Sequence, residues 1–403
     1  MNVWRYFGNA SFSFCRLQKK IQNIDPLYWL KSVPFYPKFY WEDREKQECI
    51  AGVGSLREFE EANYFSPDVL LFSMQPFDTQ KKGFPWEGFP LKKQYILPRF
   101  EVHKNENLCM AVQNANAPEN TPFPFYADTP KLTTVYLDTE LKSVFPNHEE
   151  WSFAVQKALK AIKKNELEKV VLARMKEYLL HKVFSVYDYI NSLRNVRKNT
   201  FVFFYAPNEE EAFFSFSPER LYLRKDRMLL SEALAGTNYK KKKNLLKDPK
   251  ENQEFSLVKS SIENVFSKLC SSPIHSSKTT LLETQNLQHL YSRIEGILPS
   301  LYEDEKLLQE LHPTPAMAGL PKDKALSLLL ELEPFTRGYY AAPLGWIRAN
   351  SAEFITGIRS GLLRKNSLYL FSGTGLVKDS TAPSEWEELE QKLSFYQETF
   401  QGI

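Results

Sequence analysis

The chain has 403 residues, of which 43% are hydrophobic and 25% are charged, an ordinary globular composition that can support one large core or a few smaller domains. Its 52 basic and 49 acidic residues leave a net charge of +3, which is too balanced to indicate a nucleic-acid-binding surface. Four scattered cysteines without a CxxC pair indicate a reducing compartment and no zinc site. Without a signal-peptide pattern or eighteen consecutive apolar residues, we expect a cytoplasmic protein with no membrane span.

The N-terminal part and the remainder of the chain differ in pattern. Residues 1–149 combine short apolar runs, at 49–54 and 70–73, with frequent proline and glycine, which predicts β-structure with turns and few long helices. Beyond this point apolar residues recur at helical spacing, and we predict helices over 150–162, 249–269 and 383–401. Strands are predicted from Lys169 onward and at 201–205, 212–216, 220–224, 354–360 and 367–372. Without a regular βαβ alternation, this mixture favours an α+β fold with large antiparallel sheets.

Lys169 stands at the start of an apolar, β-branched run that predicts a buried strand. Because side chains alternate along a strand, Lys169 shares a face with Val171 and Ala173. The pattern alone leaves two alternatives open: the ammonium group lies in water at the strand mouth, or it points inward and has a function. The lysine run at 240–243 is interpreted as a solvated loop.

Two of the predicted helices carry carboxylates with more than one interpretation. In the helix that starts after Asp248, Glu251 fits a capping box. Glu254 lies along the apolar stripe, where a carboxylate needs a cation or a proton, although a first-turn glutamate is also favoured by the helix dipole. In the C-terminal helix, Glu388 and Lys392 have the spacing of an exposed i,i+4 ion pair.

Three further segments suggest a binding pocket. The prolines of LHPTPAMAGLP, residues 311–321, disfavour helix and fix an extended segment that begins at His312 and resembles a pocket wall. FITGIRSG places Arg359 on a predicted strand, and LFSGTGLV ends another strand with a glycine-rich turn at Gly373. An arginine beside such a turn is suited to binding a carboxylate. Nucleotide-binding, zinc-protease and serine-hydrolase motifs do not occur.

Taken together, these segments resemble the chorismate-utilising enzymes, most closely their isochorismate synthase branch. The matching segments follow the family order over residues 150–400: KVVLAR (169–174), FSPERL (216–221), ALAGT (233–237), DPKENQEF (248–255), QHL (288–290), LHPTPAMAG (311–319), EPFTRGYYAAPLGW (333–346), GIRSG (357–361), SGTGLV (372–377) and SEWEELEQK (384–392). Residues 1–149 match more loosely. The resemblance therefore implies a single chorismate-binding domain over 1–403, with a variable N-terminal half and a catalytic core at 150–403. The implied fold is the family's: large antiparallel sheets packed together, with helices outside.

The resemblance also implies an activity and its residues. The activity is the isomerisation of chorismate to isochorismate, with Mg²⁺ held by Glu254, Glu388 and a carboxylate of the substrate. Lys169 is implied as the general base that activates water for attack at C2, and Glu219 as the general acid that protonates the departing C4 hydroxyl. A lysine that acts as a base at neutral pH must be desolvated or lie beside a cation. The implied substrate-binding residues are Gly236, His312, Ala316, Tyr340, Arg359, Gly373 and Lys392.

Three positions distinguish among the reactions that members of the family catalyse. Ala235 stands where aminodeoxychorismate-forming members carry lysine, Lys169 disfavours an anthranilate-type subunit with a glutaminase partner, and Ala316 favours release of isochorismate over further conversion to salicylate. A salicylate synthase and a non-catalytic chorismate-binding relative are the alternatives. Phe255 departs from the family, which usually has histidine or asparagine there. We expect a monomer with chorismate as its small-molecule partner, and a product that feeds menaquinone or siderophore biosynthesis.

Overall fold

The computed structural model of the protein describes residues 4–9, 12–78, 83–125, 131–239, 244–300 and 303–401; the lysine run at 240–243 lies outside these ranges. The helices are α1 (Pro26–Ser32), α2 (His148–Lys163), α3 (Val186–Val196), α4 (Pro249–Leu269), α5 (Asp304–Leu311), α6 (Lys322–Leu332) and α7 (Ala382–Gln397), with one 3₁₀ turn at Leu245–Lys247. The strands are β1 (Arg5–Gly8), β2 (Ser13–Lys20), β3 (Lys38–Glu42), β4 (Glu48–Phe59), β5 (Leu71–Met74), β6 (Gln94–Asn105), β7 (Cys109–Ala115), β8 (Thr139–Phe145), β9 (Lys169–Leu180), β10 (Val202–Ala206), β11 (Glu211–Ser215), β12 (Arg220–Lys225), β13 (Met228–Tyr239), β14 (His275–Ser276), β15 (Thr280–Glu283), β16 (Leu287–Ile297), β17 (Gly319–Leu320), β18 (Pro343–Ile347), β19 (Ser351–Thr356), β20 (Ser360–Arg364) and β21 (Ser367–Leu376).

Two antiparallel sheets diverge from the long strand β6. The first runs through β4, β3, β10, β11, β20, β21, β9 and β8. The second runs through β5, β18, β19, β12, β13 and β16. Neighbouring strands of the chain therefore lie in different sheets at several points, and the chain must cross from one sheet to the other.

Two of these crossings are bonded to each other. Residues 216–219 join β11 of the first sheet to β12 of the second, and residues 357–359 join β19 of the second sheet to β20 of the first. The amide of Phe216 donates to the carbonyl oxygen of Arg359 at 2.8 Å, and the amide of Thr356 donates to the carbonyl oxygen of Glu219 at 3.2 Å. These bonds fix Glu219 and Arg359 where the chain passes between the sheets.

Packing of apolar side chains fixes the helices around the sheets. The buried face of α4 presents Phe255, Val258, Ile262 and Phe266 at three- and four-residue spacings to the second sheet. Burial of four such side chains contributes on the order of 6–12 kcal/mol, which far exceeds helix propensity. On the first sheet, α2, α6 and α7 share one apolar cluster with the start of β9.

The predicted α+β fold with large antiparallel sheets is confirmed, as are the helix over 249–269 and the strand that begins at Lys169. The strand predicted over 354–360 is wrong as one element, because the chain leaves β19 at Thr356 and enters β20 at Ser360 in the other sheet. The predicted turn at Gly373 is also wrong: this glycine lies inside β21, paired with Ala173. No helix among the described residues is both long and apolar enough to cross a membrane.

Candidate active site

A cavity lies between the two sheets, beside the bonded crossings. It contains about 690 Å³ of empty space, including its open mouth, which is within the usual range of small-molecule sites. Six of its lining residues are titratable: Glu219, Glu254, His289, Tyr340, Arg359 and Lys392. Small and apolar residues form much of the remaining wall, among them Gly236, Ala316, Met317, Phe371, Gly373 and Gly375.

Lys169 is fully buried at the first position of β9, so the inward alternative is the one that the structure adopts. Its Nζ lies 2.8 Å from Oε1 of Glu254, at an angle outside that of a hydrogen bond. A Cβ at Gly375 would lie 2.7 Å from Cε of Lys169. The amine therefore reaches the cavity wall between these two lining residues, with one carboxylate as its ionic partner.

Glu219 is buried on the opposite sheet, at the crossing before β12. Burial raises the pKa of Glu219 to about 8. Its Oε1 accepts a hydrogen bond from Oγ1 of Thr356 at 3.2 Å. Glu219 is therefore a carboxylic acid that keeps its proton at neutral pH and faces the cavity, which is the state that a general acid requires.

Arg359 brings a positive charge to the same cavity. It adopts a left-handed backbone conformation, with φ of 47°, between β19 and β20 rather than on a predicted strand. Its Nη2 donates to Nε2 of His289 at 3.1 Å, and Nδ1–H of His289 donates to the carbonyl oxygen of Gly236 at 3.0 Å. Burial and the charges of Arg359 and Lys392 lower the pKa of His289 to about 3, so the imidazole is neutral.

This histidine orients the guanidinium group without neutralising it. Burial lowers the pKa of Arg359 to about 10, which leaves the group charged at neutral pH. Among the described residues, no carboxylate lies within 4.0 Å of its nitrogen atoms. The QHL match by itself gives His289 no role, because its contacts are distant in the sequence: Gly236 on β13 and Arg359 at the crossing between β19 and β20. Arg359 is therefore available to an anionic ligand.

The two helices that flank the cavity bring the predicted carboxylates. Oε1 of Glu388 lies 2.7 Å from Nζ of Lys392, and the same Nζ donates to the carbonyl oxygen of Gly373 at 2.8 Å. This pair is half-buried rather than exposed. Burial by itself would raise the pKa of Glu388, but Lys392, with Lys250 and Thr374, outweighs it and lowers the pKa. Glu388 is therefore charged where Glu219 is protonated.

A second glutamate precedes each of these carboxylates by three residues. Glu251 is buried, and its carboxylate accepts from the amide of Thr237 at 2.8 Å. Its amide donates to Asp248 as the predicted cap requires. Glu385 is buried and accepts from Lys250 at 2.7 Å and from Thr374. The spacing ExxE occurs in both α4 and α7, and this repeated pattern is the sequence signal for Glu251 and Glu385.

The chemistry of Glu254 and Glu388 fits a Mg²⁺ ion, which prefers carboxylate oxygen ligands. Gly375 keeps space open beside Glu254, because a Cβ there would lie 2.4 Å from Oε1 of that residue. Within the part of the chain that the structure describes, no cluster of three or more His, Cys, Asp or Glu side chains forms a metal cage. An ion at these carboxylates would take its other ligands from substrate and water, as Mg²⁺ commonly does.

Of the predicted substrate-binding residues, His312 alone lies outside the residues that line the cavity. Its ring packs edge-on against Phe77, 5.6 Å between centroids. Burial, with the charges of Lys322 and Arg337, lowers the pKa of His312 to about 3. The segment that it begins does form a wall as predicted, but through Ala316 and not through the imidazole.

Comparisons with known proteins identify the family to which this chain belongs. The family model of chorismate binding enzymes matches residues 60–400. Isochorismate synthase MenF of Haemophilus influenzae is 30% identical to this chain, in an alignment that covers 97% of this chain and 93% of that protein. Isochorismate synthase MenF of Bacillus subtilis is 35% identical, in an alignment that covers 61% of this chain and 54% of that protein. The solved structure of MenF from Escherichia coli aligns with a TM-score of 0.82 at 25% identity, covering 100% of this chain and 95% of that chain.

A more distant structure, anthranilate synthase component I from Streptococcus pneumoniae, aligns with a TM-score of 0.69 at 17% identity, covers 98% of this chain and 90% of that chain, and shares the fold. The fold and the cavity thus define an enzyme of the chorismate-utilising class. The chain belongs to the chorismate binding enzyme family, and the resemblance seen in its sequence is confirmed.

Proposed function

We propose that this protein is an isochorismate synthase, an isomerase that converts chorismate to isochorismate. The observation that carries the proposal is geometric: Glu219 lines the cavity from one side, and on the other side the buried amine of Lys169 lies 2.8 Å from Glu254, which also lines it. A buried acid and a base on two sides of one ligand are what a water-for-hydroxyl exchange requires. The names of the relatives from Haemophilus influenzae and Bacillus subtilis support the same reaction.

In the proposed reaction, Lys169 accepts a proton from a water molecule whose oxygen bonds to C2 of chorismate. The ring double bonds shift, the bond between C4 and its hydroxyl group breaks, and Glu219 protonates that hydroxyl so that it leaves as water. Full burial of Lys169 beside the cavity provides the desolvation that a lysine base requires, and Glu254, 2.8 Å from Nζ, holds the side chain in place. One water molecule is added and one is released, so the composition of the substrate is unchanged and the net reaction is an isomerisation.

Substrate binding in this proposal relies on the positive charges of the cavity. Chorismate carries two carboxylates, and Arg359 is oriented by His289 to bind one of them in a bidentate manner. Gly236, Ala316 and Tyr340 shape the space around the ring. A Mg²⁺ ion held by Glu254 and Glu388 would supply the charge that fixes the second carboxylate. Lys392 positions Glu388 for this task through their ion pair.

The direct test is incubation of the purified protein with chorismate and Mg²⁺, followed by identification of the product by chromatography. We expect isochorismate without release of pyruvate. Coupling to lactate dehydrogenase detects pyruvate and would identify the alternative, a salicylate synthase. Anthranilate formed in the presence of ammonia, or binding of chorismate without turnover, would reject the proposal. Glu219→Gln, which removes the acidic proton at nearly constant shape, is the control that should fold and produce no isochorismate.

The names of the relatives indicate two classes of pathway that use the proposed product. The Escherichia coli structure is described as menaquinone-specific, and a Vibrio cholerae relative, 28% identical over 62% of this chain, as vibriobactin-specific. We infer that isochorismate from this enzyme supplies a quinone or a siderophore pathway. Growth of a deletion strain on added menaquinone precursors, compared with added siderophore, distinguishes the two.

A further inference from the structure

Thr356 contacts Glu219 twice. This threonine is the last residue of β19 and is fully buried at the crossing between the sheets. Its amide donates to the carbonyl oxygen of Glu219 at 3.2 Å, and its Oγ1 donates to Oε1 of the same residue at 3.2 Å. A β-branched side chain is stiff at χ1, so one residue fixes both the backbone and the carboxyl group of Glu219.

We propose that Thr356 is a positioning residue for the general acid. Its hydroxyl group donates a hydrogen bond to Oε1 of Glu219, so that the acidic proton resides on Oε2 and faces the cavity. The inference rests on the proposed function for the acid role of Glu219. A protonated carboxyl group has one O–H donor and one carbonyl acceptor. A hydroxyl that donates to Oε1 favours Oε1 as the acceptor, which leaves the other oxygen as the proton donor.

The surroundings of Glu219 show why this hydrogen bond matters. Burial raises its pKa most strongly, and Glu232 on β13 acts in the same direction. The hydrogen bond from Thr356, Lys169 on β9 and Lys392 on α7 all lower it. Arg359 and the neutral His289 line the same cavity. Of the three groups that lower this pKa, Thr356 is the uncharged one, and it makes Glu219 a stronger acid while burial keeps the proton in place at neutral pH.

The test compares Thr356→Val, which has nearly the same shape without the hydroxyl, with Thr356→Ser, which keeps it. We expect Thr356→Val to lower kcat about tenfold, the effect of losing one hydrogen bond to an ionisable group, with little change in KM. The alkaline limb of its kcat/KM profile should move to higher pH, because Glu219 then loses its proton at a higher pH. Thr356→Ser should restore both. A purely structural role would lower thermal stability without moving the pH limb.

Thr200→Val is a matched control. Thr200 is also buried, and its Oγ1 has no hydrogen-bond partner among the described residues. It lies between α3 and β10, outside the cavity lining. The same loss of a buried hydroxyl should therefore leave the pH profile unchanged. If Thr356→Val does not fold, Thr356→Ala takes its place in the comparison with Thr356→Ser.

A measurement without substrate separates this inference from the proposed function. Difference infrared spectroscopy during a pH titration follows the carboxyl band of Glu219, which is assigned by its loss in Glu219→Gln. We expect the titration midpoint to rise in Thr356→Val and to return in Thr356→Ser. An unchanged midpoint would overturn the inference even if the enzyme forms isochorismate. A raised midpoint in a protein that forms no isochorismate would instead reject the proposed function alone.

Discussion

Replacing Gly375 by alanine places a methyl group between the proposed base and a proposed metal ligand. Gly375 lies within β21, opposite Val171 of β9, in an extended conformation that alanine also adopts. The added Cβ would lie 2.4 Å from Oε1 of Glu254 and 2.7 Å from Cε of Lys169. The perturbation is therefore steric and local, and it acts on side chains rather than on the backbone.

The size of the effect follows from these distances. To regain an ordinary contact of 3.4 Å, the carboxylate of Glu254 must move by about 1 Å and the stem of Lys169 by somewhat less. A displacement of this size at reacting groups costs about 100-fold in rate. Overpacking of this kind costs about 1–3 kcal/mol in folding stability, which leaves a protein of this size folded. We therefore expect Gly375→Ala to lose about 100-fold in kcat/KM and to require more Mg²⁺.

The assay measures isochorismate formation by chromatography across a Mg²⁺ titration, with thermal unfolding as a check of the fold. Gly83→Ala is the matched control, since the nearest atom to its added Cβ, Oγ1 of Thr336, lies 3.5 Å away in ordinary contact. This control should behave as the unaltered protein does. Wild-type kcat/KM and an unchanged Mg²⁺ requirement in Gly375→Ala would refute the placement of base and metal ligand on either side of this glycine.

Three other predictions test separate parts of the structure. Lys169→Ala should abolish turnover while Mg²⁺-dependent chorismate binding, measured by calorimetry, persists; full activity would reject its role as the base. Glu254→Gln should weaken Mg²⁺ binding at least tenfold, since a second carboxylate alone leaves the ion under-liganded, and an unchanged titration would remove Glu254 from the site. Burial by itself would raise the pKa of Glu101, but Arg16 and His103 lower it to about 2. The resulting stability, roughly 3 kcal/mol, is present above about pH 4.5 and lost as the pH falls towards 2; urea unfolding of Glu101→Gln should show lower stability at pH 7 and a smaller loss across that range.

Elements with strong local signals were predictable from the sequence. The helix α4 begins at Pro249 after the cap residue Asp248, and its apolar stripe continues to the end, so both bounds agree with the prediction. The position of Glu254 along the apolar stripe of α4 was also predictable. Its ionic partner, Lys169, was not predictable, because nothing near Lys169 in the chain indicates that α4 packs beside the start of β9. The choice between a solvated and a buried Lys169 therefore needed the tertiary structure.

The errors arose where local pattern and sheet topology diverge. The apolar run around Arg359 reads as one strand, because both β19 and β20 are buried and only a three-residue break separates them. Gly373 and Gly375 read as a turn, since glycine is common there. In the structure these glycines serve the opposite purpose, because they continue β21 while leaving room for Tyr340 and Glu254. Sequence alone does not distinguish glycine needed for backbone freedom from glycine needed for space.

The different roles proposed for Glu219 and Glu388 follow from what lies beside each of them. Glu219 is held at a crossing between sheets, where burial dominates and its pKa rises to about 8. Glu388 lies on α7 one turn from Lys392, which together with Lys250 and Thr374 outweighs burial and lowers its pKa. In the proposed mechanism one carboxyl group therefore holds a proton to donate, while the other remains an anion suited to a cation. Both residues are glutamates, so the difference between them comes from their surroundings. The topology of the chain buries Glu219, and the helical spacing pairs Glu388 with Lys392.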